Sequence, residues 1–457
     1  MRAVLALAPG LRRAGGRDSV LTTSLAVTAF AVMTALTLSV VGGLLGFLGR
    51  AAEPVGAFQE ENAEFYVVLA WTALVLLVVP LLTLGGSAAR LGVARRDARL
   101  ATLRLLGVTP REVVALTVVE TAWQGLLGAV AGVAGYVVLL PVWTRVPFQG
   151  STFTTAELWV GWPALLVACV AVPLLAVVSG VVSLRRVVVS PLGVARRQTP
   201  PGMRAVRVVL AVVAMGAFMV ITSFLGAFGA AAMAFGIGSL ALGFGALNLI
   251  GPWVLGLLGR WRAHRARTPA QLLAARRLVD DPKATWRVVG GLGLAGFVAG
   301  TLAVLPMIAS TTARDADAAE RAATATLNGD LMRGGLLTLG IAFLVAAAAA
   351  GIVQAASVLD RRRELALQVL AGTPVAMLDE VRRREVLVPM LTVAVGSAAV
   401  GVVMLSPVLG FAGVQDPGGL LLLVGCLTAG CLLVLGATEV SRPLLRSVLA
   451  QTQVRPD

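Results

Sequence analysis

The chain is short of almost everything that soluble enzymes use. Charged residues make up 13% of its 457 positions, where a soluble domain carries roughly 25%. His264 is the only histidine; it lies in an arginine-rich loop, reads as a solvated side chain, and cannot by itself complete a triad or a metal site. Cys169, Cys426 and Cys431 all lie inside apolar runs. Their spacing fits neither a zinc site nor a disulfide framework, so they read as small core residues. No G-x-x-x-x-G-K-[ST] phosphate loop occurs. The acidic pairs Glu60-Glu61 and Asp280-Asp281 have no histidine, serine or cysteine partner signature, and read as solvated faces. These absences predict a non-catalytic chain that binds no metal and no cofactor of its own.

What the chain has is apolar length. Hydrophobic residues are 58% of the sequence and mean hydropathy is +0.89. Runs such as Val20–Leu48 and Trp159–Leu184 are nearly free of charge, and about 20 apolar residues suffice to span a bilayer. The apolar run after Arg12, Arg13 and Arg17 is too long for a cleavable signal peptide and no small-residue cleavage site follows it, so it reads as a first span that stays. The pattern predicts an all-α integral membrane protein with ten spans near 20–48, 66–89, 114–140, 158–184, 207–229, 232–258, 287–310, 334–359, 386–411 and 418–441. The fifth and sixth either cross fully, with a tight turn at Gly226–Ala232, or form a re-entrant hairpin.

The net charge of +15 is almost all arginine, Lys283 being the only lysine. Such a balance first raises nucleic acid as a partner. Here the arginines sit in short loops between apolar runs, with no basic soluble domain to carry that function. With the N-terminus inside, only Arg50, Arg145, Arg314, Arg321 and Arg333 fall on the outer side, and 33 of the 38 basic residues fall on the inner side. The outer loop 49–65 carries Glu53, Glu60, Glu61 and Glu64 instead. Both termini are therefore expected in the cytoplasm. Trp71, Trp143, Trp159, Trp162, Trp261 and Trp286 lie near span ends, as interfacial anchors do.

The chain also repeats itself. After the second span comes Arg95-Arg96-Asp97-Ala98-Arg99-Leu100-Ala101-Thr102-Leu103-Arg104-Leu105-Leu106-Gly107-Val108-Thr109-Pro110. After the eighth comes Arg361-Arg362-Arg363-Glu364-Leu365-Ala366-Leu367-Gln368-Val369-Leu370-Ala371-Gly372-Thr373-Pro374. Both run from a basic cluster through an amphipathic stretch to glycine and Thr-Pro, and Glu120 and Glu385 follow. Leu11-Arg12-Arg13 and Ala275-Arg276-Arg277 precede the first and seventh spans, and Thr268-Pro269 is a helix-start signal; these stretches read as interfacial helices. The organisation is then 1–19 cytoplasmic interfacial segment, 20–184 first four-span repeat, 185–260 linking loop and two linking spans, 261–286 second interfacial segment, 287–441 second repeat, and 442–457 cytoplasmic tail. Six spans separate the repeat starts, so the repeats are parallel, related by an axis along the membrane normal.

Residues 95–113 read as a helix with Leu100, Leu103 and Leu106 on one face and Arg96, Arg99 and Arg104 around the rest. Gly107 can end it in a left-handed cap, and Thr109-Pro110 can start the next helix. Such an element either transmits a push into the bilayer or is an ordinary headgroup loop. Glu120, Glu385 and Glu439 are the carboxylates nearest the hydrocarbon. For Glu120 and Glu385 three roles stand open: a helix start favoured by the macrodipole, a salt bridge to an interfacial arginine helix, or ion coupling. Gly291-Leu292-Gly293-Leu294-Ala295-Gly296 imitates a nucleotide fingerprint but sits within a span, so it reads as helix packing, as do Gly128-x-x-x-Gly132 and Gly296-x-x-x-Gly300.

At these residues the sequence resembles the FtsX-like permease family, the MacB, LolC and BceB kind of ABC transporter. The resemblance is carried by Leu103 to Arg111, Glu120 and Gly125-Leu126-Leu127-Gly128, and in the second repeat by Arg363 to Leu367, Thr373-Pro374 and Glu385. It implies two copies of a cytoplasmic ABC ATPase, using ATP and magnesium, docked under a single-chain pseudo-dimer. It also implies coupling elements at 96–111 and 362–376. Their residues are Arg99, Leu103, Arg104, Leu106, Gly107, Pro110 and Arg111 in the first copy. In the second they are Glu364, Leu367, Leu370, Gly372 and Pro374. Many members carry a large extracytoplasmic domain between the first two spans of a repeat; here the loops 49–65 and 311–333 are too short to hold one. That favours a cargo taken from the bilayer, or no cargo, and the function expected first is export of a hydrophobic or amphipathic molecule such as a drug, lipid or antimicrobial peptide. The alternatives are ATP-driven transmission to an outside partner without transport, and secondary transport. Arginine-over-lysine use and the wealth of Ala, Val and Gly fit a GC-rich bacterium, and hence its plasma membrane.

Overall fold

The structure, a computed structural model, describes residues 16–105, 110–188, 232–302, 318–360, 362–409 and 417–439, with a few positions between 209 and 220. Eleven helices account for nearly all of the described residues. They are α1 (Gly16–Ala52), α2 (Ala57–Leu105), α3 (Pro110–Trp143), α4 (Gly161–Val188), α5 (Ala232–His264), α6 (Pro269–Asp280), α7 (Pro282–Leu302), α8 (Ala318–Asp360), α9 (Arg362–Leu370), α10 (Val375–Leu409) and α11 (Pro417–Glu439). A small antiparallel hairpin, β1 (Pro147–Phe148) and β2 (Ser151–Thr152), lies between α3 and α4 and pairs Pro147 with Thr152 and Phe148 with Ser151.

Among the described residues eight helices are long and apolar enough to cross a membrane, namely α1 to α5, α8, α10 and α11, and α7 adds a shorter apolar stretch over Val288–Leu302. The chain is an all-α, multi-pass membrane protein. Most of the expected fifth span, 207–229, and the end of the seventh, 303–310, lie outside the described residues, as do the first interfacial segment up to residue 15 and the tail from residue 440.

Exposure follows lipid instead of water. Leu166, Val167, Val170 and Leu174 on α4 are exposed, as are Leu420, Leu421, Val424 and Leu432 on α11. Only 22% of the most apolar stretch of α4 and 11% of that of α11 are buried, against 61% in α8, so α8 is central and the other two are peripheral. α1 packs along α2 and α3, and α7 packs along α8 and α10; α8 also meets α2 and α1 across the middle.

Without a hydrophobic drive between spans in lipid, close approach of backbones does the joining. Gly128 and Gly132 on α3 face Val27, Phe30, Ala31 and Thr34 of α1, and Gly296 and Gly300 on α7 face Ala394, Ser397 and Ala398 of α10. A methyl group at any of the four would collide with its neighbour. In each half, then, a glycine pair seats the first helix on the third, as the packing reading of these motifs requires.

The helix ends depart from the hydropathy reading. The expected loop 49–65 shrinks to a turn at 53–56, because α1 runs to Ala52 and α2 starts at Ala57. The expected loop 311–333 is helical from Ala318 onward. Residues 95–105 are not a separate short helix: they continue α2, which is 49 residues long. The reason is common to all three. A helix already nucleated in the membrane extends through polar residues at little further cost until a breaker stops it, and hydropathy registers only the apolar part.

Candidate functional site

Two ends of the bundle gather polar chemistry. At the arginine-rich end, α9 closes with a Schellman motif: the Thr373 N–H donates to the Gln368 carbonyl at 2.9 Å and the Gly372 N–H to the Val369 carbonyl at 2.9 Å. Gly372 sits at φ +88°, where a Cβ is strained. Pro374 then opens α10, its carbonyl accepting from the Met377 and Leu378 amides. Leu365 turns inward against Val358 and Leu378, while Leu367 and Leu370 are 65% and 77% exposed. Glu364 is exposed and takes part in an interaction of its own. In the first copy Arg99, Leu103 and Arg104 lie on the last turns of α2, and Pro110 and Arg111 open α3. Leu106 and Gly107, with the cap expected there, fall outside the described residues.

Glu120 and Glu385 are not at helix starts. Each lies about three turns inside its helix, α3 or α10, beyond the first turn over which the macrodipole acts. That role is therefore excluded for both. Glu385 instead pairs with Arg277 on α6 at 3.3 Å, with both side chains mostly buried. α6 itself begins as the sequence indicates: Thr268 Oγ1 accepts from the Gln271 N–H at 3.3 Å, with Pro269 in the first turn. Arg382, buried in α10, ties that helix to the end of α11 through the Thr438 carbonyl at 3.0 Å and Glu439 at 3.2 Å.

The opposite end holds a cavity of about 420 Å³ between the two halves. It is lined by α1, α2, α3, the hairpin, α7 and α8, and its wall is mostly apolar, including Leu44, Phe47, Leu76, Leu140, Phe297 and Ile341. One carboxylate reaches it, Asp330 of α8, whose side chain is 1% exposed. Asp330 Oδ2 accepts from the Tyr66 hydroxyl of α2 at 2.6 Å and from the Gln149 N–H of the hairpin at 2.7 Å, and Oδ1 pairs with Arg333 at 2.6 Å. This cluster joins the two halves.

The hairpin that closes the cavity is fixed by Arg50 at the end of α1. Its guanidinium bonds Glu157 at 2.7 Å, the Phe148 carbonyl at 3.0 Å and the Thr152 carbonyl at 2.9 Å, and lies 3.8 Å from the centre of the Phe153 ring. Gln149 and Gly150 form its two-residue turn at φ 57° and 74°, the left-handed pair that a tight hairpin needs. Burial works against the Glu157 carboxylate, but the hydrogen bonds from Arg50 and from the Thr154 N–H and hydroxyl outweigh it and hold its pKa below the ordinary value. Tyr136 completes the floor, its hydroxyl donating to the Leu158 carbonyl at 2.5 Å and accepting from the Val160 N–H at 3.1 Å.

Sequence reasoning counted Arg50 and Arg333 as loop charges and passed over Asp330, Tyr66 and the hairpin. The available signal was aromatic density. Aromatics are 5% of the chain and tyrosines only two, yet Phe47, Phe58, Phe65, Tyr66, Trp143, Phe148, Phe153, Trp159 and Trp162 concentrate around this one end.

Comparison with known proteins falls on the segment that joins the end of α2 to α4. Residues 86–191 match the family model described as FtsX-like permease C-terminal. No curated protein and no solved structure matches the chain. The matched stretch contains the basic end of α2, Pro110, Glu120 and the glycine pair of α3. Over that stretch this multi-pass membrane protein is similar to the FtsX-like permeases.

Proposed function

We infer that the chain shares the role of FtsX-like permeases, membrane components of ABC transporters that work with ABC ATPases. We propose that this chain is such a permease subunit acting as a single-chain pseudo-dimer. Two copies of a cytoplasmic ABC ATPase dock beneath it, bind ATP and magnesium, and drive export of a hydrophobic or amphipathic molecule. The observation that carries the reading is the pair of exposed leucines, Leu367 and Leu370, on a short helix held by its own cap. Apolar side chains that lie bare at the arginine-rich end, on an element wedged between α8 and α10, form a surface for a partner to grip. The excess of arginine supports a cytoplasmic position for that end, with both termini inside, in a bacterial plasma membrane.

The apolar cavity between the halves favours a cargo taken from the bilayer, since its wall offers shape and few polar groups. Transmission without cargo would use the same coupling elements and leave the cavity without a purpose. Secondary transport finds little support, because Asp330, the carboxylate in the cavity, is already answered by Arg333, Tyr66 and Gln149.

The test is affinity purification of the full chain from its native membrane with identification of any associated ABC ATPase, followed by ATP-driven dye efflux in reconstituted vesicles. Retention of the ATPase together with efflux supports the proposal. Retention without efflux of any apolar probe moves it to transmission, and the absence of an associated ATPase ends it.

A further inference from the structure

A second cavity, of about 440 Å³, opens at the arginine-rich end, where the end of α5, the face of α6 and the stretch Arg384–Pro389 of α10 meet. Its lining includes Trp261, Arg262, Arg265, Gln271, Arg384 and Glu385. Three guanidiniums thus face one carboxylate, and that carboxylate is already held by Arg277 at 3.3 Å. Arg384 is held at the rim by Glu380 at 2.6 Å and the Thr268 hydroxyl at 3.3 Å. Among the described residues neither Arg262 nor Arg265 is within ion-pair distance of a carboxylate; the Arg265 guanidinium instead covers the Trp261 ring at 4.6 Å. Two such groups about one helical turn apart, beside a third, repel one another, and an oxyanion relieves this with paired charge-assisted hydrogen bonds.

Position selects the anion. Arg262 belongs to the closing turn of the span Leu242–His264, and Trp261, 50% exposed, stands beside it, at the depth where indoles and headgroups meet. The wall of the same cavity carries Leu278, Val388 and Pro389, apolar surface suited to the start of an acyl chain. We propose that this cavity binds the phosphodiester headgroup of an anionic membrane lipid, with Arg262 and Arg265 on the phosphate oxygens and Arg384 closing the rim. The site lies at the far end of the bundle from the apolar cavity and does not depend on what is transported. Its consequence is that α6, which packs on both α5 and α10, is pinned to the membrane surface by lipid composition.

The experiment uses the full chain in vesicles of phosphatidylcholine doped with brominated phosphatidylglycerol or, at the same mole fraction, brominated phosphatidylcholine. The signal is the quenching lost on W261F, which isolates Trp261 from the other tryptophans. Brominated phosphatidylglycerol is expected to quench it more strongly by about threefold or more. R262Q/R265Q is expected to bring that ratio close to one, and R384Q, a milder change, to lower it part of the way. R276Q removes an exposed arginine of α6 outside the cavity lining and is expected to leave the ratio intact. Equal quenching by the two lipids overturns the site, and so does an equal loss in R276Q, which would reduce the effect to general surface charge. In phosphatidylcholine alone, a saturable change of Trp261 emission on adding inorganic phosphate, removed by R262Q/R265Q, would assign the cavity to a free anion and overturn the lipid reading.

Discussion

The two ends of this bundle solve opposite problems. At the hairpin end Asp330 and Arg50 are each enclosed by three polar partners, all but Arg333 drawn from distant parts of the chain. At the arginine-rich end Leu367 and Leu370 stand bare and the arginines outnumber the carboxylates around them. A buried charge with its partners in place is costly to disturb, so the first end resists separation of the halves. Exposed leucines on a capped helix are an unfinished surface, so the second end awaits something to complete it. Closure at one end and an open apolar surface at the other is the arrangement that the proposed coupling would use.

The comparison breaks most visibly at the docking end. L103A/L106A/L370A is expected to abolish stimulation of the partner ATPase while the chain still inserts and melts normally; full stimulation in that variant would remove the coupling assignment. At the closure end, D330A leaves the Tyr66 hydroxyl and the Gln149 N–H unanswered and Arg333 unpaired. It should destabilise the detergent-solubilised protein by about 3 kcal/mol, read as a lowered melting temperature, with D330N intermediate. R50Q should cost about as much, since it strands two carbonyls and Glu157, and should also expose the hairpin to protease; an unchanged digestion pattern would refute its role as the clamp.

Two smaller effects sharpen the picture. G372A places a Cβ at φ +88° and should cost about 1 kcal/mol, which lowers ATPase stimulation without touching the closure end. The Glu157 carboxylate has a depressed pKa, so its contribution is present above the ordinary carboxylate pKa and is lost as pH falls through its own lower value. The wild-type melting temperature should therefore drop on acidification below about pH 4, and E157Q should lack that component. An identical acid profile in E157Q would show that the ion pair adds nothing to stability.

How much of this was readable in advance follows from what hydropathy measures. The apolar centres of the spans could be placed because about 20 consecutive residues must avoid charge. Local signals also spoke clearly: Thr268-Pro269 starts α6 and Gly372 ends α9, each through bonds to residues a few positions away. Helix ends outside the hydrocarbon were hidden: 318–333 looks like a loop to a scale that knows only apolarity, and 95–105, legible as a helix, gave no sign of being continuous with α2. The closure end was hidden more deeply. Tyr66 and Asp330 are 264 positions apart and Arg50 and Glu157 are 107 apart, and pairing at that separation is a property of the packed bundle. The salt-bridge role of Glu385 was among the open alternatives, and Arg277 on α6 selects it.

The length of α2 has a consequence of its own. Its 49 residues make a beam of about 73 Å at 1.5 Å per residue, more than twice the roughly 30 Å of hydrocarbon it crosses. Rocking such a beam by about ten degrees around its middle would shift each tip by about 6 Å and Tyr66, set in from the tip, by about 4 Å, enough to draw the Tyr66 hydroxyl out of reach of Asp330. Pro80, near the middle, removes one backbone bond of the helix, and so marks where the beam can flex and how much of the stroke is lost on the way across.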